Sequence, residues 1–292
     1  MVLTNKSLAS SYKTNLSVLL VVFQAVFAVG CCELAKSFNY ITYPPLERGL
    51  ARKWLPVNIF FSLMLFTGMQ ALANSSVPIV TIFKNIANIF IAAGDGYFFG
   101  GQVDSLTKLA FGVMLSGAVM ASGGEGAVTF LGLFWMISNC LSTAGYVLYM
   151  KHATRTVKLP RFGMVYYNNV LTTLLLLPVT IANGELLSFL RNADLHTLDY
   201  LLKNSWAGFV GFFLNFASLT CVAATGPTTY AIVGSVNKIP TAVLGWALFD
   251  TAIEGRTAFF IGVSMAGGFI YSAAKIKQQK ERERKERREA TR

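Results

Sequence analysis

The chain has 292 residues, of which 54% are hydrophobic and only 13% charged, against roughly a quarter charged in an ordinary soluble domain. Thirteen of its charges crowd between Lys275 and Arg292, so the body before them has too few to cover a surface in water. A soluble enzyme and a nuclear factor are excluded, and at roughly 20 residues per span this body holds nine or ten membrane helices and no sizeable extramembrane domain.

In chain order, the charge-free stretches mark the spans. Leu16–Cys32 is the first complete one. Trp54 to Phe83 is uncharged but too long for one helix, and Asn74-Ser75-Ser76 ahead of Pro78 supplies the break. Spans are therefore predicted at Leu55–Ala73 and Val77–Phe99. Leu106–Ala121, Phe130–Met150 and Phe162–Ala182 follow, separated by a glycine-rich turn at Gly123–Gly126 and a basic loop at Lys151–Arg161. Asn204 to Asn237 is again uncharged and breaks at Gly226-Pro227, giving Trp206–Thr225 and Thr228–Phe249, and Ala258–Ala274 completes nine. Gly184–Trp206, carrying Glu185, Asp194 and Asp199, reads as the longest lumenal loop, with no catalytic constellation in it.

Orientation follows from the basic residues. With the C-terminal tail in the cytosol, Lys36, Arg48, Arg52 and Lys53 share its side with Lys151, Arg155, Lys158 and Arg161, and the opposite side is poor in Lys and Arg. The net charge of +11 could suggest nucleic acid, but in residues 275–292 Glu281, Glu283, Glu286 and Glu289 alternate with the basic residues. That pattern describes a solvated helical tail attracted at most weakly to anionic lipid, and no nucleic-acid partner is expected. Cys31, Cys32, Cys140 and Cys221 lie in apolar runs without the spacing of a disulfide framework or a metal site. His152 and His196 lack a carboxylate or nucleophile at a meaningful spacing, so neither an enzyme nor a cofactor is expected.

Two cations break the pattern. Lys84 and Lys238 fall well inside predicted spans, where a lysine costs about 2.5–3.5 kcal/mol on insertion scales. Asp95 and Asp250 are too far along the same helices to pair with them. Either the lysines are structural, or they line a water-filled site for an anion. An internal repeat favours the second reading. Ser75–Asn85 can be laid on Thr228–Lys238, aligning small hydroxylic pairs, an Ile-Val pair and a Lys/Asn couple in exchanged order. The segments lie five spans apart and so run in opposite directions, as in inverted repeats whose site lies near the midplane. The front repeat is placed at about 1–122, the back repeat at about 130–274, within one membrane domain of 1–274 followed by the tail at 275–292. A five-span repeat implies ten helices, so the expectation is that the chain starts inside its first helix.

At this point the residues resemble a known family, the nucleotide-sugar transporters of the drug/metabolite transporter superfamily, and within them the Golgi GDP-mannose transporters. Thr81-Ile82-Phe83-Lys84-Asn85 resembles their Phe-Lys-Asn motif, and Gly234-Ser235-Val236-Asn237-Lys238 their Gly-Ala-Leu-Asn-Lys motif. Tyr166-Tyr167-Asn168-Asn169-Val170 is similar to Phe-Tyr-Asn-Asn-Val, and Phe134-Trp135-Met136 with Asn139-Cys140 is also similar. The resemblance implies an all-α polytopic membrane protein of ten helices in inverted repeats, exchanging a GDP-sugar for GMP across the Golgi membrane with a cytosolic C-terminus. It further implies that Asn168 and Asn169 read guanine, Tyr230 contacts the nucleoside, Asn139 and Ser218 lie at the sugar, and Lys84 and Lys238 face the diphosphate. Asn85, Gly234 and Asn237 complete the two motifs. On the residues alone a double Asn is more often a helix-packing pair. A sister family carrying UDP-sugars or sugar phosphates, or a non-transporting membrane scaffold, are the competing readings. Gly112, Gly117, Gly262, Gly267 and Gly268 would let helices approach closely, which suggests a homodimer across the fifth and last helices.

Overall fold

The computed structural model describes residues 2–11, 16–101, 103–123, 128–225 and 255–290, with helical residues at 234, 237, 238, 240, 241, 243–245, 247 and 248. Among them there is no strand. The helices are α1 (Val2–Ser11), α2 (Ser17–Ser37), α3 (Arg48–Asn74), α4 (Val77–Phe99), α5 (Ser105–Ser122), α6 (Phe130–Thr156), α7 (Arg161–Ala182), α8 (Glu185–Arg191), α9 (Leu198–Thr225) and α10 (Gly255–Ala290). Seven of these are long and apolar enough to cross a membrane: α2 to α7 and the first part of α10. The fold is an all-α polytopic membrane protein.

The predicted breaks hold where they can be seen. α3 ends at Asn74, and α4 starts after Ser76 with Pro78 in its first turn, where a missing N–H costs nothing. The break at Gly226-Pro227 and much of the Thr228–Phe249 span lie outside the described residues. The helices are longer than the charge-free runs. α3 begins at Arg48 and α6 continues to Thr156, so Arg48, Arg52, Lys53, Lys151 and Arg155 sit on helix ends, where long side chains reach water.

The largest departure is at Gly184–Trp206, which is mostly helix instead of loop. Glu185–Arg191 forms α8, a short 3-10 turn covers Ala193–Leu195, and α9 starts at Leu198. Asp199 and Lys203 interrupt the hydropathy there, but they pair with each other at 2.7 Å on an exposed face one turn apart. Leu198, Leu201, Leu202 and Trp206 then continue one apolar stripe. The tail is helical as expected, continuous with α10 to Ala290.

The chain packs into two compact units, residues 1–74 with 131–219 and residues 75–130 with 220–292. α1 to α3 with α6 to α8 and most of α9 make up the first unit, and α4, α5 and α10 fall in the second.

In the first unit, α2 packs on α7 through an apolar core that includes Val18, Leu19, Val22, Met69 and Leu176. α1 is stitched to its neighbours by polar side chains. Asn5 Nδ2 donates to Met69 Sδ at 3.2 Å, Gln24 Nε2 to Asn5 Oδ1 at 2.9 Å, and Lys6 Nζ to the Leu72 carbonyl at 2.8 Å.

In the second unit, α5 and α10 are in close contact because two glycines allow it. A Cβ at Gly117 would stand 2.5 Å from Ser264 N, and one at Gly267 would stand 2.7 Å from Met114 N. Ser264 Oγ adds a hydrogen bond to the Met114 carbonyl at 3.1 Å. Two of the glycines assigned to a dimer face are therefore consumed inside the chain, and Gly268 faces Asn85, while Gly112 and Gly262 have open space around them.

Candidate substrate site

The two repeat motifs meet in the second unit. α4 carries Lys84 and Asn85, and the ammonium of Lys238 comes to both, donating to Asn85 Oδ1 at 2.9 Å and to the Lys84 carbonyl at 3.1 Å. Asn85 is buried, and its amide lies across from the bare backbone of Gly268 on α10, which stands where a larger side chain would press on it. Residues 153 positions apart are thus joined at one point inside the helices. A lysine ammonium brought inside the helix layer is a group that an anion can use. Lys84 is half-buried beside it, Gly234 is half-buried, and Asn237 is exposed with its carbonyl accepting from Thr241 Oγ1 at 2.9 Å.

The asparagines stand in the first unit. Asn168 has 0% exposure. Its Oδ1 accepts from Trp54 Nε1 at 2.8 Å, and its backbone carbonyl accepts from Asn58 Nδ2 at 2.8 Å. Its Nδ2 is buried with no hydrogen-bond partner. Around it, Asn58, Ser62 and Thr172 form a buried ladder at 3.2–3.3 Å that joins α3 to α7. Asn169 is also buried, and its Nδ2 donates to the Val165 carbonyl one turn back at 2.8 Å. Asn139 on α6 donates from Nδ2 to the Met64 carbonyl at 2.7 Å and to Thr67 Oγ1 at 3.2 Å. Gly68 makes room for it, since a Cβ there would lie 3.1 Å from that nitrogen. Ser218 lies on α9, but its side chain, like Tyr230 as a whole, lies outside the described residues.

Several residues that build this region are invisible to motif reading. Tyr167, fully buried, donates its hydroxyl to the Pro45 carbonyl at 2.6 Å and accepts from Glu47 N at 3.0 Å, pinning the segment between α2 and α3. The Tyr43 ring in that segment lies tilted against Tyr166 at 4.7 Å, and the Lys36 ammonium stands over the Tyr43 ring at 4.4 Å. Burial, and then the nearby Glu33, push the Tyr43 phenol well above its ordinary value. Asn58 and Ser62, one turn apart in an apolar span, are the one signal that could have been read, because polar residues at that spacing inside a membrane helix need a partner helix.

Comparison with known proteins places this geometry. Residues 1–272 match the profile of the triose-phosphate transporter family. A GDP-mannose transporter of Scheffersomyces stipitis is 34% identical over 297 residues, covering 96% of this chain and 90% of that protein. One of Meyerozyma guilliermondii is 33% identical over 296 residues, with 96% and 83% covered, and one of Komagataella pastoris 32% identical over 292, with 97% and 89% covered. A solved structure described only as the crystal structure of a protein superposes with a TM-score of 0.56 over 95% of each chain at 12% identity, a likeness of fold alone. With the profile spanning nearly the whole sequence and identities above 30% across full-length relatives, the chain belongs to the triose-phosphate transporter family and, within it, to the GDP-mannose transporters.

Proposed function

We propose that this protein is a nucleotide-sugar antiporter that brings a GDP-sugar, GDP-mannose first among them, into the Golgi lumen and returns GMP to the cytosol. The observation that carries the reading is the meeting of Lys238 with Asn85 and Lys84. A lysine ammonium seated at the backbone of a second lysine suits a diphosphate, since a cation–phosphate contact at 4 Å is worth roughly 4 kcal/mol at an effective dielectric near 20. The relatives' names supply the base and the sugar.

In this reading Lys84 and Lys238 take the diphosphate, with Asn85, Asn237 and Gly234 shaping that end. Asn168 and Asn169 read guanine, Tyr230 contacts the nucleoside, and Asn139 and Ser218 lie at the sugar. Each Asn amide carries a donor and an acceptor, matching the mixed edge of guanine. The proposed halves at about 1–122 and 130–274 act as inverted repeats, a reading supported by the sharing of both halves between the two packing units. The tail at 275–292 faces the cytosol. Purified protein in liposomes loaded with GMP, UMP or no nucleotide tests the proposal. GDP-mannose should enter GMP-loaded vesicles alone, and equal uptake with UMP inside would favour a carrier of UDP-sugars.

A further inference from the structure

The first unit holds a cavity of 640 Å³, lined by none of the candidate substrate residues, between α2, α8 and the first two turns of α9. Its wall is aromatic and rigid. Phe189 is packed edge-on against Phe23 at 5.3 Å and against the His196 ring at 4.9 Å. Phe27 is held against the bare backbone of Gly208, only 3.0 Å from where a Cβ would stand. Polar side chains break this surface at His196, Thr197, Tyr200, Asn204 and Ser205; His196 Nε2 meets the Phe189 carbonyl at 3.0 Å and Thr197 Oγ1 accepts from Tyr200 N at 3.3 Å. Asn204 lines the cavity at 5% exposure, and neither its Oδ1 nor its Nδ2 has a hydrogen-bond partner.

A buried amide with both ends unsatisfied costs free energy on each. The group that answers both ends is one that donates and accepts, and a hydroxyl does so. No Lys, Arg, Asp or Glu lines the cavity, so the ligand is neutral. It arrives through lipid, because Val26, Leu198 and Leu201 on the rim are 50%, 70% and 62% exposed, and the last two belong to the outward apolar stripe of α9. The volume lies in the range that encloses a single small ligand, which suits a rigid fused-ring body laid on flat aromatic walls better than two acyl chains.

We propose that this cavity is a sterol site, in which Asn204 exchanges hydrogen bonds with the sterol hydroxyl and the aromatic wall takes the rings.

The test uses the whole protein in phosphatidylcholine nanodiscs with a sterol that carries a ring diazirine and an alkyne tail, followed by mass spectrometry of the labelled peptides. Label is expected in α2 and in residues 195–205. Excess unmodified sterol should suppress it, and the 3-deoxy sterol should compete about tenfold less well, the equivalent of one lost hydrogen bond. Asn204→Leu, which fills the same space without polar atoms, should make the two competitors equal. If that variant does not fold, the competition on the unaltered protein decides alone. Equal competition there, label spread over all lipid-facing helices, or stronger labelling of the cavity by a diacylglycerol diazirine would each overturn the proposal.

Discussion

Asn168 does two things that pull against each other. Its side-chain oxygen is the acceptor for a fully buried tryptophan N–H, while the proposed function asks its amide to face guanine. Removing the acceptor leaves Trp54 Nε1 unsatisfied, a loss of about 1–3 kcal/mol. Asn168→Ala is therefore expected to lower the melting temperature in detergent, and Asn169→Ala, whose amide donates only within its own turn, to lower it less. Both variants should lose stabilisation by GMP more than by UMP. A loss of stability in Asn168→Ala with nucleotide preference intact would assign that residue to packing alone. Lys238 is the opposite case. It donates to the Asn85 amide oxygen and the Lys84 carbonyl, and as the proposed diphosphate contact its replacement in Lys238→Met should remove nucleotide binding more than it lowers stability, as read by melting curves with and without GMP. At this scale the sequence exposes the lysines because a charge inside an apolar run is conspicuous. It hides Trp54, Tyr167 and Thr172, whose residue types are ordinary in membrane helices and whose roles come only from neighbours more than a hundred positions away.

Helix ends and helix contacts carry the next set of consequences. α2 has no side-chain cap of its own. The carboxylate of Glu185, from the first turn of α8, supplies one across space, accepting from Val18 N at 3.0 Å and Leu19 N at 2.8 Å. Burial raises the Glu185 carboxyl above its ordinary 4.5, against the lowering effect of those two bonds. With the folded value raised, the stabilising contribution is complete below 4.5 and is lost as pH rises through the raised value. The unaltered protein should thus melt higher at about pH 5 than at about pH 7.5 by a margin that Glu185→Gln removes. The glutamine keeps an acceptor for both N–H groups, whereas Glu185→Ala should cost about 1–2 kcal/mol at either pH.

The α5–α10 contact gives a paired prediction. Gly117→Ala drives a Cβ into the Ser264 backbone and should cost about 1–3 kcal/mol. Gly112→Ala enters open space and should be neutral or gain up to about 1 kcal/mol of helix propensity. Thermal melts of the two variants side by side check both. Small-residue spacing made these positions visible as a contact face. Spacing could not say whether the partner helix belongs to the same chain, and in the structure Gly117 and Gly267 find it there. The segment between α7 and α9 was illegible for a different reason. Hydropathy averages over Asp199 and Lys203 as though both faced lipid, while the helix places them together on one exposed side.

For the molecule as a whole, most span boundaries were readable because lipid forces every backbone group into a helix and leaves charges only at the ends. The division into two packing units was not readable, since it separates α3 from α4 at a short break and joins helices from opposite ends of the sequence. What did point to it was the repeat, which pairs Lys84-Asn85 with Asn237-Lys238 before any contact is seen. The central claim is that this pairing forms the anion end of a nucleotide-sugar exchanger. The most direct measurement is exchange of radiolabelled GDP-mannose into GMP-loaded proteoliposomes by the unaltered protein and by Lys238→Met reconstituted at equal folded amounts. The account predicts saturable uptake that depends on internal GMP, and its loss to background in the variant. Uptake by the variant at the unaltered rate, or uptake that ignores the internal nucleotide, would contradict it.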